Sequence, residues 1–486
     1  MKVKDKFLNM YRSDRVLLGE WILAIVTGLF VFVTACTWDL QSLTIWSTNV
    51  WDCIVDGNFR GLYAYTAENI YNVHHQHMGS ELMSVLPWSI WNLPIWIIQR
   101  FFNKPIIDSA VMLAWSKLFL VVISVVMLRF TKKIAYSVTG DSVKSTWAVF
   151  LTASSSYLYL SVCYSGQNDI LMICASVLAV NCLLKNKEKA FLAWAFLAIS
   201  IKPFFILPFL AVLLLYEKNF LRIIGKTVVA SAGLILQKLL FMGAPGYAES
   251  MNSGPAKQML AEMFPANLNT NFGGISFFAI SLVVIYFYCY TRDCTKAELD
   301  DPSRLLPKYI VYMITVTYTC YLMFSPFSYY RLATLLPFLY IVLVQNKQMI
   351  LYNTIFDIIM QFSLIMKMIL RGSKLFQVRF LNKALIQRFF GYYVKYHGDS
   401  SYASIDNYLF DKNDLIENYQ PMFAGASVIC AVLLLVLNHP GEKIKLKVSG
   451  EKNVRALLWL RTLIILPFAL LSVYLFARTV SRVYYQ

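Results

Sequence analysis

The strongest constraint on this chain is a series of long apolar runs, among them Trp21–Cys36, Phe119–Leu128, Ile170–Leu184, Phe205–Tyr216 and Leu463–Phe476. A helix needs roughly 20 mostly apolar residues to cross the hydrocarbon core of a bilayer. Inside that core each backbone N–H and C=O must be paired within the protein, which leaves only helices and closed barrels. The runs lack the two-residue alternation of a barrel strand and therefore predict helices. Of the 486 residues, 58% are hydrophobic and only 15% are charged, against about 25% charged in soluble domains. The predicted fold class is an all-α polytopic membrane protein. Spans are expected at 20–38, 109–128, 146–164, 168–184, 190–203, 204–216, 221–241, 272–291, 308–324, 331–346, 350–370, 421–438 and 456–478, about 11–13 crossings in all.

The net charge of +17 sits in short Lys/Arg clusters between the apolar runs. That is the pattern of cytoplasmic loops, and it argues against nucleic-acid binding. Residues 1–19 carry the first cluster and read as a cytoplasmic segment before an uncleaved anchor. The clusters place 39–108, Tyr164–Asp169, the Lys202-Pro203 corner, 243–271 and Ser325–Arg331 on the outer side. Met83–Phe102 holds Pro87, Pro94 and three tryptophans and is expected to lie on the outer surface. The basic stretch 371–395 reads as an amphipathic segment of a C-terminal region, 347–486. The nine cysteines are scattered without a CxxC pair and read as packing thiols.

Polar groups are costly near the hydrocarbon core, so those that remain are informative. Asp39 follows the first run and has the chemistry of a general base; its bland reading is a solvated helix end. The outer segment after it carries Asp52, Asp56, Glu68, His74, His75, His77 and Glu81 among tryptophans and tyrosines. Carboxylates interleaved with rings suit sugar recognition. The histidines have no defined metal-site spacing and are expected to touch phosphate or the interface. Tyr164-Ser165-Gly166-Gln167-Asn168-Asp169 is a polar break, read at its simplest as a turn with a helix cap. Lys202-Pro203 interrupts an apolar run, pairing a cation with a helix breaker. Ser325-Pro326-Phe327-Ser328-Tyr329-Tyr330-Arg331 brings a guanidinium whose fork matches phosphate oxygens.

In order and spacing, residues 20–345 resemble the multi-spanning glycosyltransferases of the C superfamily (GT-C). The likeness is to the polyprenol-phosphate-mannose-dependent mannosyltransferases of the phosphatidylinositol mannoside pathway and their bacterial relatives. Three features carry it. They are Asp39 opening a long outer loop with surface helices, the Gly166-Gln167-Asn168 turn followed by Lys202-Pro203, and the Ser325-Pro326 turn before a span containing Pro337. Tyr329, Tyr330 and Arg331 stand where relatives often carry histidine or tryptophan. The resemblance implies a GT-C-like catalytic core over 20–346, with outer loop 39–108, in a bacterial cytoplasmic membrane with its site facing outward.

It further implies inverting transfer of a hexose, mannose in the closest likeness, from a polyprenyl-phosphate sugar donor to a lipid or glycan acceptor. Asp39 is the expected base, with Asp52 and Asp56 as alternatives. Lys202, Arg331 and His77 are expected to hold the donor phosphate, and Gln167, Asn168, His74, His75 and Tyr330 the sugar or acceptor. No cofactor is expected, and a divalent metal is not indicated. A transporter or flippase of a polyprenyl-linked lipid, and an oligosaccharide ligase or polymerase, remain as rival readings.

Overall fold

The apolar runs fold as helices in the computed structural model, which describes residues 15–34, 38–68, 78–102, 110–253, 267–270, 273–294, 296–300, 303–324, 329–346, 350–370, 419–441 and 454–470. In chain order the first helices are α1 (Leu18–Thr34), α2 (Trp38–Val55), α3 (Leu62–Glu68) and α4 (Leu82–Phe102). Next come α5 (Ala110–Thr139), α6 (Ser142–Ala153), α7 (Ser156–Tyr159), α8 (Asp169–Leu183) and α9 (Glu188–Ile201). They are followed by α10 (Ile206–Tyr216), α11 (Phe220–Phe241), α12 (Tyr247–Ser253), α13 (Phe277–Thr291) and α14 (Leu305–Phe324). The last are α15 (Leu336–Gln345), α16 (Ile350–Leu370), α17 (Gln420–Leu437) and α18 (Val454–Leu463).

Among the described residues helices dominate as expected, alongside one two-stranded sheet. Strands β1 (Asn267–Thr270) and β2 (Gly273–Ser276) pair antiparallel, Asn267 opposite Ser276 and Thr270 opposite Gly273. The span expected from residue 272 therefore begins at Phe277, where the Ser276 hydroxyl accepts from the Ala279 N–H and caps α13.

Among the described residues, three helices are long and apolar enough to cross a membrane: Val111–Thr139, Phe220–Phe241 and Ile350–Lys367. Six shorter helices of 10–17 residues are also apolar. Several leave whole stripes uncovered. On α11 the exposed residues include Leu221, Ile224, Val228, Ile235, Leu236 and Leu239; on α13 they include Ile280, Val283, Val284 and Phe287. Contiguous apolar surface of this kind is suited to hydrocarbon rather than water.

Further spans differ from expectation, among them the one expected over 456–478, which a turn at Ile464-Ile465 interrupts after α18. α5 does not stop near residue 128 but carries Arg129, Lys132 and Lys133 within its last turns and ends at Thr139. Arginine and lysine are strong helix formers, so the helix continues through them. The stretch expected to be one span, 146–164, is instead broken. α6 ends at Ala153, Ser155 caps α7 through the Tyr157 N–H, and a π-type turn follows over Leu160–Ser165. Hydroxyls that bond the backbone locally compete with helix continuation, which is why a Ser154-Ser155-Ser156 run interrupts it. The basic stretch 371–395 and His74, His75 and His77 lie outside the described residues.

The chain forms two compact units, each assembled from separate stretches. One comprises Met1–Thr37, Thr131–Ser165 and Leu335–Gln486; the other comprises Trp38–Phe130 and Gly166–Thr334. In the first, α6 packs on α15, α16 packs on α17 and α18, and α1 packs on α18. In the second, α8 and α9 form an antiparallel hairpin, α9 packs on α11, and α10 packs on α13 and α14.

Within the second unit, α2 and α4 lie side by side. The expected outer loop 39–108 is thus largely helical from its first residues. Asn92 donates to the Ser47 hydroxyl at 2.9 Å, and Trp96 donates to Asp52 at 2.8 Å. Both contacts advance together along the chain, so the two helices run parallel and start at the same end. One face of α4, including Ser84, Trp88, Asn92 and Trp96, is buried, as expected for a helix that does not stand alone in lipid.

Candidate active site

Three consecutive side chains organise one end of the second unit. Gln167 hydrogen-bonds Asp39 at the start of α2. Asn168 accepts from the Trp88 indole N–H on α4 at 2.6 Å. Asp169, the first residue of α8, accepts from the Lys202 ammonium at 2.6 Å. The turn that presents them depends on Gly166, whose φ is +62° and whose missing side chain would lie 2.5 Å from Leu40 Cδ1. Only glycine adopts that backbone readily and lets the turn approach α2 so closely.

The simple cap reading of this turn needs correction. Asn168 occupies the cap position, but its side chain makes no capping bond and is committed to Trp88. The acidic Asp169 instead sits in the first helical turn, where the helix dipole favours an anion.

The Lys202-Pro203 break is local chemistry. A residue before proline is pushed out of the helical region, and Lys202 is extended, with φ −146° and ψ 126°. Proline at the first position of a new turn sacrifices no hydrogen bond, and Pro203 opens the turn Pro203–Phe205 that leads into α10. The corner is pinned by α4. Ser84 donates to the Ile201 carbonyl, Met83 N–H donates to Gln237 at 3.0 Å, and Gln237 donates to the Ser200 carbonyl at 3.0 Å.

Arg331 belongs to the same corner. Its guanidinium lies 5.9 Å from the Phe204 ring centroid, and the residue is buried. The turn Tyr329–Thr334 that carries Arg331 packs on α8, so Arg331 reaches Phe204 of this corner although 129 positions separate it from Lys202 in the chain. Tyr318 on α14, fully buried, lies within electrostatic range of Asp169.

Asp39 is half-buried, and burial pushes its carboxyl above the ordinary aspartate value. The Gln167 hydrogen bond and the Lys202 charge pull it down again, and the Asp169 charge pushes it up. A carboxyl raised in this way retains proton affinity nearer neutral pH, which is what a general base requires. Helices α2, α4, α8 and α10 all begin around these residues, so four positive helix ends face one locality.

The alternative bases are elsewhere. Asp52 sits near the far end of α2 and Asp56 just past it, about 20 and 25 Å from Asp39 by the rise of 1.5 Å per residue. Asp52 accepts from Trp96 at 2.8 Å and Tyr65 at 3.4 Å, and Asp56 pairs with Arg100 at 3.0 Å. These bonds tie α2 to α4 and to α3, a packing role. Glu81 lies one turn before Ser84, with both carboxylate oxygens 3.3 Å from the Tyr247 hydroxyl. Burial pushes it above its ordinary value, against the opposing pull of Lys238 and the Tyr247 bond.

Of the expected ligand-binding residues, Asp39, Gln167, Asn168, Lys202 and Arg331 come together. Tyr330 lies in the turn Tyr329–Thr334 beside Arg331; its side chain and those of His74, His75 and His77 lie outside what is described. Among the described residues no three His, Cys, Asp or Glu side chains gather as a metal site. Sequence reading missed Asp169 as the partner of Lys202 and Trp88 as the anchor of the turn. Asp169 was marked by its place in the polar run; a tryptophan 80 positions away carried no signal.

A second polar cluster, in the first unit, was also missed. Arg461 on α18 is fully buried and pairs with Asp357 on α16. It also donates to the Ser154 hydroxyl and the Leu151 carbonyl, each at 2.7 Å. Tyr340 on α15 donates to Asp357 at 3.0 Å. Charged residues inside the runs expected to span, at 357 and 461, were the available signal. No protein-family model, curated protein or solved structure matches this chain.

Proposed function

We propose that this protein is a membrane glycosyltransferase that moves a hexose from a polyprenyl-phosphate carrier to a hydroxyl of a lipid or glycan acceptor. The observation that carries the reading is the juxtaposition of Asp39, hydrogen-bonded by Gln167, with the Lys202–Asp169 pair at one corner. A base and a phosphate-sized cation are the two groups such a transfer needs from the protein.

In the proposed step Asp39 takes the proton of the acceptor hydroxyl. The hydroxyl oxygen forms a bond to the anomeric carbon from the face opposite the phosphate. The carbon–oxygen bond to the phosphate breaks, its electron pair stays on the phosphate, and the configuration inverts. Lys202, Arg331 and the four helix ends oppose the growing negative charge. Apolar stripes on α11 and α13 suit a prenyl tail held in lipid. The site is proposed to face outward from a bacterial cytoplasmic membrane, in a polytopic GT-C-like chain.

The test is transfer of radiolabel from a panel of polyprenyl-phosphate sugars to membrane lipid and glycan extracts, wild type against Asp39→Asn. Label moving with the wild type only supports transfer and its base together. An active Asp39→Asn protein removes the assignment of the base. A transporter is the second reading, because helical runs are interrupted at Ser154-Ser155 and at Lys202-Pro203 among the described residues, and transport sites are often built on such breaks. Lipid flipping in reconstituted vesicles, without transfer from any donor, favours it.

A further inference from the structure

Lys202 and Asp169 differ in how solvent reaches them. The lysine side chain is 17% exposed and the aspartate side chain 0%, so an anion arriving from outside meets the ammonium first. We propose that Asp169 is a resident counter-anion that holds Lys202 until a phosphodiester takes the ammonium, and that this exchange is linked to proton uptake at Asp39. The inference rests on reading the corner as a lipid-phosphate site and adds to it a resident competitor and a proton.

The argument is electrostatic. Lys202 and Asp169 act on Asp39 in opposite senses, the one stabilising its charge and the other opposing it. A bound monoanion draws the ammonium toward itself and adds its own negative charge to the site. Asp169 is then less well compensated. Both changes favour a proton on Asp39.

The other neighbours do not cancel this. Gln167 is neutral, as are Ser84 and Trp88, the α4 side chains that contact the corner and the turn. Among the described residues the charges that act on Asp39 are those of Lys202 and Asp169; the titratable groups around them are Tyr318 of α14 beside Asp169, Arg331 against Phe204, and Glu81 one turn before Ser84, itself bonded by Tyr247 and near Lys238. Asp169 retains one carboxylate oxygen without a hydrogen-bond partner among the described residues, so a second hydrogen bond does not hold it neutralised when the lysine moves.

Linkage makes the effect reciprocal. An anion that raises the proton affinity of Asp39 must itself bind more tightly when Asp39 is protonated. In the proposed reaction each ionised Asp39 is a stronger base in the donor complex but a smaller fraction of it is ionised, so the acid decline of the transfer rate at saturating donor lies at higher pH than the proton affinity of the empty protein would set.

The experiment is calorimetric titration of the purified full chain in detergent with dodecyl methyl phosphate, a phosphodiester of fixed single charge. Buffers of different ionisation enthalpy count the protons taken up, and dimethyl phosphate serves as the headgroup without a tail. Wild type should take up a fraction of a proton per ligand and bind more tightly as pH is lowered. Asp39→Asn should bind with no uptake. Asp169→Asn should bind roughly two- to fivefold more tightly, having lost the competing ion pair, and with reduced uptake. Lys202→Met should bind at least roughly tenfold more weakly, the worth of a charge-assisted bond. Equal binding of dimethyl phosphate assigns the site to a free phosphodiester; tighter binding of the dodecyl ester assigns it to a lipid.

Binding with no proton uptake in wild type, or with the same uptake in Asp39→Asn, overturns the linkage. The isosteric Asp39→Asn and Asp169→Asn proteins decide the matter should Lys202→Met not fold. Transfer activity without linkage removes this inference alone. Linked binding without transfer from any donor removes the glycosyltransferase and leaves a proton-coupled lipid-phosphate site.

Discussion

Lys202 and Asp169, 33 residues apart in the chain, meet in an ion pair of 2.6 Å that closes the corner between α9 and α10 onto the start of α8. Removing one member of a buried pair leaves the other uncompensated, at about 3–5 kcal/mol. Lys202→Met is therefore expected to lower stability by the lower part of that range, since the lysine is partly solvated. The double variant with Asp169→Asn should recover much of the loss. Denaturant unfolding in detergent measures both, and a double variant no more stable than the single would show that the carboxylate is compensated by another group.

Asp39→Asn keeps the shape and the capacity to bond Gln167 but cannot take a proton. General base catalysis contributes about 10²–10⁴-fold, so transfer should fall by that factor while thermal unfolding stays near wild type. A fall in both would assign Asp39 to the fold.

The pH dependence follows from the raised Asp39 carboxyl. Transfer needs it ionised, so the rate should decline on acidification at a pH above the ordinary carboxylate range. Asp169→Asn removes an anion that favours the proton, and the decline should move to lower pH. Stability runs the other way. A carboxyl whose folded-state proton affinity exceeds the unfolded value stabilises the fold at acid pH, and that contribution is lost as pH rises through the folded value. Rate–pH and unfolding–pH profiles on the same samples check both signs.

Gly166→Ala places a methyl group at φ +62° and 2.5 Å from Leu40 Cδ1. Left-handed backbone costs about 1–2 kcal/mol for a residue with a side chain, and the overlap adds to it. The turn must shift away from α2, so loss of the Gln167–Asp39 bond should depress transfer more than stability. A variant of wild-type rate would separate the turn from the chemistry.

Arg461→Met leaves Asp357 buried with Tyr340 as its remaining partner, and a loss of about 3–5 kcal/mol is expected. Arg461→Lys should not restore it, because a single ammonium cannot reach Asp357, Ser154 and Leu151 with the geometry of a planar fork. Unfolding midpoints of the two variants test this; a lysine variant as stable as wild type would show that charge alone suffices.

The corner itself was legible because its causes are local. Gly166 takes a left-handed backbone that residues with side chains rarely adopt, and Pro203 ends α9 by forcing Lys202 out of the helical region. Asp39 was marked by its position after an apolar run. Its partners were legible only as residue types. That Asp52 and Asp56 are tied to Trp96, Tyr65 and Arg100 depends on the parallel register of α2 and α4, which spacing along the chain does not encode. The serine break between α6 and α7 was hidden inside an apolar run, since hydropathy averages over a few hydroxyls that change the backbone path.

By itself, the sequence determined that the chain is helical, that much of its surface suits hydrocarbon, and where glycine and proline bend it. Those properties belong to single residues and to short runs, and they act wherever the segment lies. Only the tertiary structure decided that Gln167 reaches α2, Asn168 reaches α4 and Asp169 reaches the corner after α9, that Lys202 has a buried counter-ion, and that Arg461 sits on Asp357. These pairings join residues far apart in the chain, and burial sets their strength by removing the water that would otherwise compete for each charge and each hydrogen bond.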